Sequence, residues 1–181
     1  MLRQTKPPLS EPLKQLVGQP VGAIDTPALV VDLDAMQRNL SRMAEFAKKH
    51  EIRWRPHAKM HKCSAIARLQ IQAGAVGVCV QKTAEAEAMA AGGLADIYIT
   101  HEIVAPAKLA RVAQLAHRLR ADGGQLAIAV DSHVGVSRLA TAMNDARREA
   151  GTSAVIDVFV EIDVGQGRCG VVPGRAAVSL V

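Results

Sequence analysis

The chain has 181 residues, 49 % of them hydrophobic and 22 % charged, with a formal net charge of +5, an ordinary soluble composition long enough for one sizeable core. An aromatic share of 2 % means that core is built from Ala, Val, Leu and Ile, and with the basic residues scattered it argues against a nucleic-acid platform. No apolar run approaches the roughly 20 residues of a membrane span; the N-terminal stretch MLRQTKPPLSEPLKQL lacks a signal-peptide core.

Residues 1–24 read as an irregular arm broken by Pro7, Pro8, Pro12 and Pro20. The β-branched run Ala28 to Leu33 predicts a strand. Asp34 and Gln37 have capping-box spacing, and Met36, Leu40, Met43 and Ala47 predict an amphipathic helix to about Lys49. A strand near Ile52 to Lys59 precedes a helix that stops at Gly74. Val76 to Val80 is a strand, and Thr83 is placed to cap a helix ending at Gly92-Gly93. Asp96 to Thr100 is a strand, and Pro106 suits the first turn of a helix to about Ala121. Leu126 to Val130 predicts a strand, and the residues from about His133 to Ala150 a helix stopped by Gly151. Ile156 to Asp163 completes the series.

Strands alternating with helices imply a parallel sheet covered by helices. Polar groups gather at the C-terminal strand ends: Lys59, Gln81, His101 with Glu102, Asp131 and Asp163. A β/α barrel builds its active site there, and open doubly wound sheets share the bias. Arg175 to Val181 reads as an interrupted helix with no stop signal. The expectation is therefore α/β, a partial (β/α)8 TIM barrel truncated after about five strands.

Arg53, Arg55, His57, Lys59 and His61 alternate with Trp54, Pro56, Ala58 and Met60, which predicts five basic side chains on one face of a strand. Such a face is costly unless it meets anions or solvent. Positive neighbours disfavour the ammonium form of Lys59, and a neutral amine can form an imine with a carbonyl compound. Spacing alone allows a blander reading, a solvated basic strand end that binds phosphate without chemistry. The net charge also mildly favours anionic ligands. Gly165-Gln-Gly-Arg-Cys-Gly170 matches GxGxxG literally, but the helix, strand and acidic residue a dinucleotide site needs do not follow. Asp131 and Asp163 are placed to bond polar neighbours. Asp32-Leu-Asp34 resembles a metal pair, although capping explains Asp34. Cys63, Cys79 and Cys169 form an odd set without disulfide or zinc spacing, fitting a reduced, cytoplasmic setting; Cys79 and Cys169 read as packing residues.

Four ordered blocks carry a resemblance: TPALVVDLDAMQRNL (26–40), RPHAKMHK (55–62), GVCVQKTAEAEAMAAGG (77–93) and EIDVGQGRCGV (161–171). Together they resemble the D-threonine aldolase and D-serine dehydratase family. Those are fold-type III pyridoxal-phosphate enzymes with an alanine-racemase-like N-terminal barrel and a C-terminal β-domain. The resemblance implies that residues 25–181 form part of that barrel, and that the strand at 28–33 belongs to the β-domain sheet, the rest of which is absent here. It implies that Lys59 carries pyridoxal 5'-phosphate as a Schiff base and that Arg168 contacts the pyridine nitrogen or its vicinity. Gln81 is a candidate for the cofactor's 3-oxygen region or the substrate, and His57 for orienting Lys59. The structural alternatives are a strand-end cap for Gln81 and an ion pair of Arg168 with Glu161 or Asp163. The implied reaction is retro-aldol cleavage of a D-β-hydroxy-α-amino acid, D-threonine foremost, to glycine and an aldehyde. Dehydration of D-serine or D-threo-3-hydroxyaspartate is the alternative, followed by a non-catalytic pyridoxal-phosphate-binding module or an inactive truncated product. A divalent metal (manganese, magnesium or zinc) with ligands on the β-domain, and a homodimer, complete the expectation.

Overall fold

The computed structural model describes residues 11–181; Pro7 and Pro8 of the predicted arm lie outside the described residues. The chain divides into two compact units, Met1–Asn39 and Leu40–Val181.

In the first unit, Glu11–Gln15 forms α1 and Val21–Ala23 a single 3-10 turn. The predicted strand at Ala28 to Leu33 does not form: residues 28–32 have no regular structure, and Leu29 is 95 % exposed. A β-branched run becomes a strand only beside a hydrogen-bonding neighbour, and the described residues supply none. Leu33 instead opens α2 (Leu33–Lys49). Its cap is Asp32, whose Oδ1 accepts the Ala35 N–H at 2.8 Å, whereas Asp34 lies inside the first turn.

The second unit is built on a four-stranded parallel sheet of β1 (Val78–Val80), β2 (Asp96–Ile99), β3 (Gln125–Val130) and β4 (Asp157–Val160). The strands lie side by side in chain order. Parallel neighbours need long crossovers, supplied by α4 (Thr83–Ala91), α5 (Pro106–Ala121) and α6 (His133–Ala150); α3 (Ser64–Gln72) precedes β1 and α7 (Arg175–Val178) follows β4. One sheet face carries Val78, Val80, Ile97, Ile99, Leu126 and Ile128, each 1 % exposed or less. They pack with Met89, Leu109, Val112 and Leu115 in one core, each buried side chain contributing about 1.5–3 kcal/mol. Alternation puts Tyr98, Ala127, Ala129 and Phe159 on the other face. The small alanines let the Tyr98 and Phe159 rings meet across β3, with centroids 4.9 Å apart.

The predicted strand Ile52 to Lys59 contracts to one bridge, His57 to Cys79. The Trp54 carbonyl accepts the Val76 N–H at 3.1 Å and the Pro56 carbonyl the Cys79 N–H at 2.8 Å. Two residues advance on one side while three advance on the other, so the ladder slips; Pro56 has no N–H to extend it. Residues 58–61 then turn instead of extending, which ends the period-two pattern before Lys59. Thr83 is likewise not a cap: it is the first residue of α4, 3 % exposed. Glu85 does that work, its Oε2 accepting the N–H groups of Gln81 at 2.9 Å and Lys82 at 3.2 Å.

Candidate active site

The five basic side chains of the Arg53 to His61 segment do not form one face. Arg55 turns to the N-terminal end of the sheet, where its guanidinium pairs with both carboxylate oxygens of Asp96, the second contact at 3.1 Å. Asp96 also accepts a bond from Gln125 Nε2 at 2.6 Å. With Arg53, Asp157 and Phe159 these residues line a cleft of about 440 Å³. Gly77 makes the pair possible, since a Cβ there would lie 2.0 Å from Arg55 Nη1 and 2.7 Å from Asp96 Cγ. The charge that the sequence leaves unexplained at Arg55 is therefore neutralised within the fold.

His57 and Lys59 occupy the opposite, C-terminal end. Lys59 is exposed, and its Nζ donates to Gln81 Oε1 at 3.4 Å. His57 touches Lys59 through the backbone: Nδ1 accepts the Lys59 N–H at 3.2 Å, while Nε2 lies 3.1 Å from Thr100 Oγ1. Burial holds the His57 pKa below its ordinary value and the Lys59 charge adds to this; Gln81, Glu85 and the Cys79 backbone act in the other direction. Lys62, in the same turn, pairs with Glu85 at 3.4 Å.

Farther along the same edge, the sequence missed a carboxyl cluster. Glu102, Glu161 and Cys169 bring their ligand atoms within 4.8 Å of one another. Glu161 is pushed up to about 7, first by its hydrogen bond with Glu102, then by burial and the charges of Glu102 and Asp131, against the pull of Arg168. Burial opposes ionisation of Glu102, but the bond from Glu161, its own backbone N–H, His101 and Cys169 hold it below the usual carboxylate range. The shared proton therefore resides on Glu161. Cys169, predicted as a packing residue, belongs to this group. Glu102 was read at a strand end, whereas Glu161 fell inside the predicted strand Ile156 to Asp163, which stops at Val160.

The loop after β4 is organised by Asp163. Asp163 Oδ1 accepts the N–H groups of Gly165 at 2.9 Å and Gly167 at 3.0 Å, and these bonds, Gly167 first, hold its carboxyl below the ordinary range. Asp131 Oδ2 accepts the Gly170 N–H at 3.3 Å. Gly170 has φ +98°, and a Cβ there would meet the Asp163 nitrogen at 2.6 Å. Arg168 stands exposed on this loop and makes no salt bridge among the described residues. The GxGxxG glycines thus wrap a carboxylate, and α7 behind them is four residues long, so no dinucleotide fingerprint is present.

All three cysteines are free, and no helix among the described residues is long and apolar enough to cross a membrane.

Residues 31–181 match the alanine racemase N-terminal domain family. The D-threonine aldolase of an Arthrobacter species is 44 % identical over 165 residues, spanning 91 % of this chain and 39 % of that protein. The 3-hydroxy-D-aspartate aldolase of Paracoccus denitrificans is 42 % identical over 166 residues, spanning 91 % and 40 %. The crystal structure of D-threonine aldolase from Filomicrobium marinum superposes with a TM-score of 0.80 at 47 % identity, over 88 % of this chain and 40 % of that one. The chain thus spans about two fifths of the length of the curated relatives it matches.

Proposed function

Because this chain belongs to the alanine racemase N-terminal domain family, we propose that it is the pyridoxal-phosphate-binding part of a lyase acting on D-β-hydroxy-α-amino acids, with cleavage of D-threonine to glycine and an aldehyde as its reaction. The observation that carries this reading is Lys59: an exposed primary amine at the C-terminal end of a parallel sheet, its Nζ 3.4 Å from the Gln81 amide. Parallel β/α architectures place their chemistry at that end. The two aldolase relatives favour carbon–carbon cleavage over dehydration.

The donor set suits the cofactor. The Lys59 amine can bond covalently to an aldehyde. Gln81 offers an amide that can donate to a phenolic oxygen. Arg168 offers a permanent charge with donors only, so a ring nitrogen facing it is kept as an acceptor. When bound, the cofactor supplies an electron sink for the pair released as the substrate's Cα–Cβ bond breaks. The part of the chain itself is to hold the amine, the amide and the guanidinium in place. Glu85 fixes the backbone at Gln81, and Asp163 fixes the loop bearing Arg168.

A divalent metal and a homodimer belong to the same proposal, as does a reducing cytoplasm, in keeping with the three free cysteines. Glu102, Glu161 and Cys169 are close enough to share an ion, but closeness alone does not make a site. No metal is assigned to them.

The test is covalent capture followed by turnover. The protein incubated with pyridoxal 5'-phosphate and reduced with borohydride should carry the label on Lys59. In its full-length context it should release glycine from D-threonine, and Lys59→Ala should do neither. Label on another lysine overturns the site; label on Lys59 without glycine release leaves a cofactor-binding module.

A further inference from the structure

We propose that Thr100 is a positioning residue for Lys59, acting through a His57 ring held as the neutral tautomer with its proton on Nε2. The purpose of this arrangement rests on the reading of Lys59 as the cofactor lysine; the proton positions themselves do not.

The proton positions follow from counting donors. A threonine hydroxyl has one proton. Thr100 Oγ1 lies 3.1 Å from the Val80 carbonyl oxygen, which only accepts, so that proton is committed there. The same carbonyl accepts the Thr100 N–H at 2.9 Å, so the residue is held at two points. What Oγ1 presents to His57 Nε2, 3.1 Å away, is a lone pair, and Nε2 must bring the proton. Across the ring, Nδ1 accepts the Lys59 N–H at 3.2 Å and must be bare. One fixed acceptor, Val80 O, thus dictates each proton up to the amide of Lys59. A proton added at Nδ1 would face that N–H and break the chain.

The balance around the ring agrees with this: burial and the Lys59 charge, which favour the uncharged ring, outweigh Gln81, Glu85 and the Cys79 backbone, which act against it. The turn that bears Lys59 has two other ties, Ala58 N–H to Cys79 O and Lys62 N–H to Ala58 O, both at 2.7 Å. The second of these holds the carbonyl side of the peptide unit that joins Ala58 to Lys59; the imidazole holds its N–H side, and the direction of that unit sets where the amine goes relative to Gln81. Loss of such orientation costs rate without removing any reacting group.

Thr100→Val removes the hydroxyl at nearly constant shape, and Thr100→Ser keeps it. Nitrogen-15 NMR of the histidine ring gives a readout independent of turnover. The wild type and the serine variant should show a His57 proton on Nε2 protected from solvent exchange. In the valine variant that protection should vanish, and borohydride-trapped labelling of Lys59 should slow by about tenfold, the worth of one hydrogen bond, with serine restoring it. A wild-type spectrum with the proton on Nδ1 overturns the proposal without any variant. So does a valine variant that keeps a protected Nε2 proton or labels at the wild-type rate. Labelling that survives Lys59→Ala instead overturns the cofactor-lysine reading, whereas the proton positions are read from the wild-type and Thr100-variant spectra alone, so the two failures are distinguishable.

Discussion

Glu161 holds a proton against Glu102 across the end of β3, and the pair ionises completely only once pH rises past about 7. The folded pKa of Glu161 lies above its unfolded value, so the contribution of the shared proton is whole in acid and is lost as pH climbs to and through about 7. Denaturant midpoints followed across that window should fall for the wild type. Glu161→Gln, which keeps a donor toward Glu102, should flatten the fall. A midpoint that rises through neutrality would contradict the shared proton.

Gly77→Ala tests the pair at the other end of the sheet. The added methyl would occupy the space of the Arg55 guanidinium and the Asp96 carboxylate, and such overpacking costs about 2 kcal/mol. Asp96→Asn should cost less, because it spares the packing and weakens only the charge. Urea titration checks the order; equal losses would mean that the charge, not the space, decides.

Gly170→Ala should destabilise the loop after β4 by about 2 kcal/mol, since φ +98° is strained for any L side chain and the methyl meets the Asp163 nitrogen. Asp163→Ala should loosen the same loop by removing the acceptor of the Gly165 and Gly167 N–H groups. Hydrogen exchange at those two amides is the direct measure, and unchanged protection would show that the loop is held from elsewhere.

Arg168→Glu reverses the charge on that loop. Under the proposed function it should change the absorbance of the bound cofactor and the ratio of cleavage to side products, as well as the rate. A variant with the wild-type spectrum and product ratio would reduce Arg168 to a surface residue.

How much of this was legible beforehand depended on distance along the chain. Helix stops at Gly74, Gly93 and Gly151 and the buried runs of β2 and β3 follow from local rules, because a positive-φ glycine or a buried strand is decided by its immediate neighbours. Asp32 and Asp34 are both competent caps two residues apart, so spacing alone chose the wrong one. The run 28–33 needed a partner, and β propensity does not reveal whether one exists. Within the site, Gln81 was legible as a strand-end residue, whereas Lys59 was read at the end of a strand that contracts to a bridge at His57. Thr100 was read only as the end of a strand, and its hydroxyl means nothing until β2 lies beside β1. Arg55 with Asp96, and Glu102 with Glu161, are likewise products of strand order.

That order has a consequence for synthesis. Each strand lies beside the one made just before it, so a chain leaving the ribosome can extend the sheet one unit at a time, with no strand kept waiting for a distant mate. Gln81, which meets the Lys59 amine, and the residues that hold this pair (His57, Glu85 and Thr100) are all in hand once residue 100 has emerged. Under the proposed function, the lysine side of the cofactor site is thus translated before the loop that bears Arg168.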